Sequence, residues 1–338
     1  MDKRLDTIGN IKVIMMLTVV FYHCCAFFTG SWFTCVPLVY EANYISYFAK
    51  WLNTFHVQTF AMASGFVFYA LKKQKYKNGI AKEIRKRAKR LLFPYFSTML
   101  LWVVPFYVIF YGFHIEDLIY KFILGCAPAQ LWFLPMLFWC FLIFYFIFKT
   151  REATKLGLII VFVISVCGTA VLNLANFPNV FQMVSAIKYL IYYYLGCYLC
   201  ENNIKSNKLY SSFFLILSVA GFGANMLLQD DQLFVFKIAS RFLDCFCSIS
   251  GVMFVYCLIG QFENKNFKNH KIWKELQLNS FGIYLFHQQI VYLTVLIFNG
   301  RVPPPVHVAL SFAMTIALSS LLVDALRKWH VTKWIFEL

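Results

Sequence analysis

A chain of 338 residues in which 61 % of side chains are hydrophobic and only 14 % charged, with a mean hydropathy of +0.65, is too apolar for a soluble globular domain. Its formal net charge of +16 does not point to nucleic acid, because the basic residues gather in alternate loops between apolar runs, as the positive-inside rule requires. What remains is a polytopic membrane protein, and the first apolar run lacks the small-residue cleavage pattern of a removable signal peptide.

Apolar runs predict an all-α bundle of about ten transmembrane helices, roughly over 11–30, 49–71, 91–112, 130–148, 156–174, 186–201, 209–228, 237–260, 281–299 and 306–326. They form a single domain over 1–338 with no separate soluble domain. An even count puts both termini on one side. That side collects Lys3, Arg4 and Lys12, the run Lys72 to Arg90, then Lys149, Arg151 and Lys155. It also takes Lys205 and Lys208, the run Lys265 to Lys274, and Arg327, Lys328 and Lys333. The opposite loops hold Glu41, Glu116, Asp117, Asp230 and Asp231. Both termini are therefore expected in the cytoplasm.

The first run carries Lys12 near its start and His23 near its middle. Eleven residues are about three helical turns and ~16 Å, so both side chains share one face, a cation at the membrane edge below an imidazole near mid-bilayer. Ionisable groups at that depth are costly and mark a cavity or a functional site. The second run contains His56 and the pair Ser64-Gly65. The small pair suits close helix packing as well as function, and the imidazole suits a bond to a helix carbonyl as well as a cavity lining.

In the basic segment that follows, Arg87 and Arg90 stand at i, i+3. Two guanidiniums on one face fit phosphate bidentately, and they fit an ordinary stop signal against anionic lipid equally well. Trp132 opens the fourth run, and Tyr192, Tyr193 and Tyr194 sit in the sixth, where aromatic residues ordinarily mark the interface belt. Arg241 and Asp244 in the eighth run read as a self-neutralising pair, and Tyr284 and His287 lie in the ninth. Cysteines number eleven and mostly behave as small hydrophobes. Cys197-x-x-Cys200 lacks a second pair or a nearby histidine for zinc, so no metal is expected, and a Cys35–Cys126 disulfide between outward loops is left open.

Taken together these stretches resemble the acyltransferase-3 family of integral membrane acyltransferases. Leu5-Asp6 through His23 is similar to the family's first helix, in which an arginine precedes a histidine by about ten residues, and Lys12 replaces that arginine here. Phe60 to Phe66 with Ser64-Gly65, Arg87-Ala88-Lys89-Arg90 followed by Pro94-Tyr95, and Trp132-Phe133-Leu134 match further landmarks. Tyr194-Leu195-Gly196 and Gly282-Ile283-Tyr284-Leu285-x-His287 follow in the same order.

The resemblance implies a cell-membrane enzyme that moves an acyl group, acetyl by family habit, from cytoplasmic acyl-CoA to a hydroxyl of an extracytoplasmic or lipid-linked glycan. It implies His23 as general base or acyl carrier with Lys12 assisting, Arg87 and Arg90 on the CoA phosphates, and His56, Ser64, Trp132, Tyr284 and His287 along the substrate path. No cofactor beyond the acyl-CoA substrate is implied. Two other readings use the same residues, a proton-coupled transporter or glycan export component and a catalytically silent scaffold. A carrier would favour broken helices at matching positions in two halves, and no such symmetry is visible.

Overall fold

The computed structural model describes residues 3–228, 234–262 and 270–338. Asp230, Asp231 and the part of the basic run from Lys265 to residue 269 lie outside the described residues. No strand occurs among the described residues. In chain order the helices are α1 (Lys3–Ala26), α2 (Asn43–Asn53), α3 (His56–Ala70), α4 (Lys72–Asn78) and α5 (Ile80–Thr98). A π turn at Met99–Val103 carries α5 into α6 (Val104–Tyr111), and the short α7 (Ile115–Leu118) follows. Then come α8 (Phe133–Ile147), α9 (Lys155–Leu174), α10 (Met183–Glu201) and α11 (Lys208–Leu228). The chain closes with α12 (Phe234–Gly260), α13 (Lys271–Phe298), α14 (Pro304–Lys328) and α15 (His330–Phe336).

Among the described residues, nine helical stretches are long and apolar enough to cross a membrane, and the expected all-α polytopic bundle is what forms. They share the work unequally. The apolar window of α1 is 61 % buried, whereas those of α9 and α11 are 11 % and 17 % buried and so turn their side chains to lipid. The rod from Ile80 to Tyr111 spans 32 residues. Pro105, near the start of α6, has no N–H to return to the preceding turn, and the wide π turn before it absorbs the missing bond.

The second expected span, 49–71, is the one the structure breaks. Thr54 and Phe55 donate their backbone N–H groups three residues back, to Trp51 O at 3.0 Å and Leu52 O at 3.2 Å, and the Thr54 hydroxyl also donates to Trp51 O at 2.7 Å. This tight turn ends α2. α2 exposes Tyr44, Tyr47 and Phe48 and buries Ile45, Ala49 and Leu52, the pattern of a helix lying in the membrane interface. α3 then has only 15 residues, about 22 Å at 1.5 Å per residue and short of a ~30 Å hydrocarbon core.

α3 nevertheless sits at the centre of the bundle, packed against α10, α1 and α8. Glycines on both partners permit its contact with α10. A Cβ on Gly65 would lie 1.9 Å from Tyr193 O, and one on Gly196 would lie 1.9 Å from Met62 O. The two backbones touch with no side chain between them, and the Cys197 thiol donates across the crossing to Gly65 O at 3.3 Å. Further along, the Arg4 guanidinium caps the end of α10 by donating to Leu199 O at 2.8 Å and Cys200 O at 3.3 Å, and it lies over the Phe66 ring.

Two expectations are corrected here. Tyr192, Tyr193 and Tyr194 are not belt residues. All three are at most 3 % exposed because α10 is a core helix, and Tyr193 stacks on Phe144 with centroids 5.3 Å apart. The Tyr194 hydroxyl accepts from Thr154 N at 2.9 Å and donates to Thr154 O at 3.2 Å. Arg241 and Asp244 do not neutralise each other in the interior. Arg241 is exposed, and the Asp244 carboxylate faces Lys188 of α10 at 3.8 Å on a half-exposed surface.

We predict that Gly65→Ala and Gly196→Ala each lower the thermal unfolding temperature of the purified protein, because an inserted methyl must force two backbones apart at a cost of about 1–3 kcal/mol or more. Gly223→Ala, where a Cβ meets nothing within 4 Å, leaves that temperature unchanged.

Candidate active site

One cavity of about 760 Å³ runs through the bundle, within the range of small-molecule sites. Lys12, Met16, Val19 and His23 of α1 line it, a spacing of 4, 3 and 4 residues that keeps a single face turned inward. Of the residues singled out from the sequence, Lys12, His23, His56, Ser64, Arg87, Arg90, Trp132 and Tyr284 all line this space. His287 does not line it. It lies behind His23, with ring centroids 5.1 Å apart.

The lining is graded by charge. At one end stand Lys12, Lys75, Lys86, Arg87 and Arg90, five cations with one carboxylate, Glu83. Lys75 and Glu83 pair at 3.6 Å with side chains 10 % and 2 % exposed, and the Asn78 amide donates to Glu83 at 2.8 Å. Burial, with the Arg87 charge next, pushes the Lys75 ammonium below its ordinary range, while Glu83 pulls it back. Lys12, Arg87 and Arg90 form no salt bridge among the described residues. Arg87 rests over the Phe141 ring at 5.0 Å. Three positive groups with no carboxylate among the described residues within 4.0 Å of them converge on one wall, which is an arrangement for binding an anion.

Between those cations and His23 the wall carries no charge, only groups such as Met16, Val19, Phe60 and Ser64. Ser64 reaches the cavity because its neighbour Gly65 is turned to α10. The Ser-Gly pair thus divides its duties between lining and packing. The ninth-run motif divides likewise. Gly282 meets α14 so closely that a Cβ would lie 2.4 Å from Val323, Tyr284 faces the cavity and His287 backs His23.

The histidines form one aromatic cluster. Tyr22 packs against both His23 and His56, at 5.0 Å and 4.6 Å, and Trp32 packs on His23 at 5.2 Å. Nδ1 of His56 donates to Leu52 O at 2.8 Å, and Nδ1 of His287 donates to Tyr284 O at 2.8 Å. A carbonyl only accepts, so each neutral ring carries its proton on Nδ1 and presents a bare Nε2. Among the described residues no three His, Cys, Asp or Glu side chains converge in a metal-binding group.

The far end of the cavity is aromatic and hydroxyl-rich. Gly30 in the left-handed region (φ 73°) turns the chain after Thr29, so that Ser31, Trp32, Phe33 and Thr34 fold into the mouth. Phe33 stacks on Tyr292 at 4.0 Å and 7°. Lys121 is the one charged lining residue there among the described residues, donating to the Tyr107 hydroxyl at 2.7 Å and to Asp117 at 3.0 Å. The Tyr107 hydroxyl first, and Lys121 next, hold the Asp117 carboxyl below the usual carboxylate range. Cys35 and Cys126 are free thiols, so the disulfide left open by the sequence is not formed.

A family model described as an acyltransferase domain matches residues 5–324. The chain belongs to the acyltransferase-3 family. It is a multi-pass membrane acyltransferase, and the span of the match takes in every lining residue named above. No curated protein and no solved structure matches the chain.

Sequence reasoning passed over Lys75, Glu83, Trp32, Phe33, Tyr292 and Lys121. Glu83 had a signal, since it is the only acid in the run from Lys72 to Arg90 and a lone acid there asks for a partner. We predict that Lys75→Met alone destabilises the purified protein by about 3–5 kcal/mol, because Glu83 is left buried and unpaired, whereas Lys75→Met with Glu83→Leu recovers most of the loss. Thermal unfolding of the two variants in lipid nanodiscs checks this.

Proposed function

We propose that this acyltransferase moves an acyl group, acetyl in the first instance, from cytoplasmic acyl-CoA to a hydroxyl of an extracytoplasmic or lipid-linked glycan at the plasma membrane. One observation carries the reading. A single cavity joins a wall of unpaired cations to His23 and continues to an aromatic, hydroxyl-bearing mouth at the other end. The positive-inside rule supports placing the cationic end in the cytoplasm.

In this reading the CoA phosphates lie against Arg87, Arg90 and Lys12, and the pantetheine arm runs along the uncharged stretch of Met16, Val19, Phe60 and Ser64. A phosphate-rich donor satisfies charges that the protein itself leaves unpaired. Lys12, about 16 Å below His23 along the helix, is too far to act on the acyl carbon and serves as a charge on the donor. His23 takes the proton of the acceptor hydroxyl on Nε2 as that oxygen attacks the thioester carbonyl. The C–O bond forms, the C–S bond breaks, and the imidazolium returns its proton to the departing CoA thiolate. A covalent acyl-histidine is the alternative course with the same groups. The mouth lined by Trp32, Phe33 and Tyr292 suits a sugar ring, whose apolar face packs on aromatic side chains while Thr34 and Ser31 offer hydroxyls.

The test is release of CoA from acetyl-CoA by protein in nanodiscs with added glycan acceptor. His23→Ala is expected to lower kcat by about 10²–10⁴-fold, the range of general-base catalysis. Arg87→Ala and Arg90→Ala are each expected to raise KM for acetyl-CoA about tenfold, equivalent to ~1.4 kcal/mol of charge-assisted binding, with kcat little changed. Wild-type turnover by His23→Ala, or solute movement without thioester consumption, would remove this reading.

A further inference from the structure

Two buried nitrogens stand out in the histidine cluster. Nδ1 of His23 and Nε2 of His287 are both shielded from solvent, and neither has a hydrogen-bond partner. Their rings lie 5.1 Å apart at 44°, so the rims of the two imidazoles are in contact. A buried polar atom left unmatched costs about 1–3 kcal/mol, and these two belong to rings in contact.

The chemistry of His287 is already decided by its own helix. Its Nδ1 donates to Tyr284 O at 2.8 Å and lies 3.2 Å from Ile283 O, so the neutral ring has a lone pair on Nε2 and no proton there. A bare Nε2 can only accept. The one complementary state of the unmatched His23 atom is a protonated Nδ1. Because a neutral imidazole carries a single proton, that state leaves Nε2 of His23 as the basic nitrogen.

We propose that His287 is the positioning residue of His23. In the acyl-transfer-competent state His23 Nδ1–H donates to His287 Nε2, which fixes the tautomer that directs the basic Nε2 of His23 into the cavity. The inference rests on the reading of His23 as the acyl-transfer base. It assigns to a neutral histidine, itself locked by the α13 backbone, the orienting task that a carboxylate performs in other histidine-based sites. His287 needs no charge for this and no place on the cavity wall. The structure gives it neither, since it is fully buried and does not line the cavity. His56 offers an equally fixed Nε2, but its ring contact is with Tyr22, whereas the imidazole in ring contact with His23 is that of His287.

Nitrogen NMR of ¹⁵N-histidine-labelled protein in nanodiscs tests the tautomer directly, with His23 assigned by the signals lost in His23→Gln. The expected wild-type spectrum shows His23 protonated on Nδ1 and bare on Nε2. In His287→Leu the proton moves to Nε2 or is shared between the two nitrogens. His287→Gln, whose amide oxygen can accept the same bond, keeps it on Nδ1. In parallel, His287→Leu lowers kcat about 10²-fold or more, at the scale of a misplaced general base, with KM for acetyl-CoA unchanged, and His287→Gln restores part of the rate. His307→Leu, another buried histidine set among Phe27, Phe28 and Phe298, alters neither readout. A wild-type His23 bearing its proton on Nε2, or one that keeps Nδ1–H in His287→Leu, would overturn the proposal. Should His287→Leu fail to fold, the wild-type and His287→Gln spectra still decide. The spectrum needs no turnover, so loss of the acyl-transfer reading through an active His23→Ala would be seen separately.

Discussion

The bundle depends on two backbones being allowed to touch. In lipid, apolar side chains gain little by leaving one apolar medium for another, so helices associate through close packing and polar contacts. At Gly65 and Gly196 the chain takes that rule to its limit, with no side chain between α3 and α10. The consequence reaches well past the crossing. α3 is too short to be held by its own hydrophobic length, so α10 and α1 must hold it. Once Gly65 faces α10, Ser64 faces the cavity, and His56 at the first turn of α3 arrives beside Tyr22 and His23.

A cavity built this way must reconcile charge with a low dielectric. Five cations share its basic end, and only Lys75 is matched by a buried carboxylate. Like charges held together without counter-charge are unfavourable, and the penalty grows as water is removed. The Lys75–Glu83 pair relieves it at the wall, while Lys12, Arg87 and Arg90 are left for whatever enters. Lysine in place of the family's arginine changes the form of this charge and not its sign. A compact ammonium on a flexible stem can follow a phosphate, whereas the planar fork demands a fixed one. With Arg87 and Arg90 already supplying two forks, a mobile point charge at the third position is a workable division.

Much of this was legible in the sequence because it is periodic. Lys12 and His23 share a face by helical spacing, and Arg87 and Arg90 by i, i+3, so their convergence on one cavity follows from residue counting once the helices are placed. What escaped was set by contacts across the chain. No proline falls in 49–71 and its one glycine, Gly65, lies well inside α3, yet the span divides at Thr54 because its hydroxyl and N–H both turn back to Trp51. Three successive tyrosines read as an interface belt, yet the glycine two residues after Tyr194 draws α10 into the core and buries them. Arg241 and Asp244 have a favourable spacing, but Asp244 faces Lys188 on a neighbouring helix. The family resemblance puts His287 on the substrate path, and only the packing of α13 on α1 reveals that it backs His23 without lining the cavity.

The position of Trp32 bears on how such a site would avoid wasting its donor. The loop after Gly30 folds back so that Trp32 lies 5.2 Å from His23 and Phe33 stacks on Tyr292, with Phe33 itself held at φ 54°, a left-handed conformation that costs roughly 1–2 kcal/mol for a non-glycine residue. Such strain persists only where surrounding packing fixes it, and such residues cluster at functional sites. From the other direction the uncharged stretch of Met16, Val19 and Phe60 offers water few partners. His23 therefore stands between an apolar approach on one side and an aromatic cover on the other. On the proposed reading a thioester reaching His23 meets little free water, and an acceptor hydroxyl has to arrive past Trp32. Transfer is then favoured over hydrolysis by exclusion of the competing nucleophile, which requires no tighter hold on the acyl group itself.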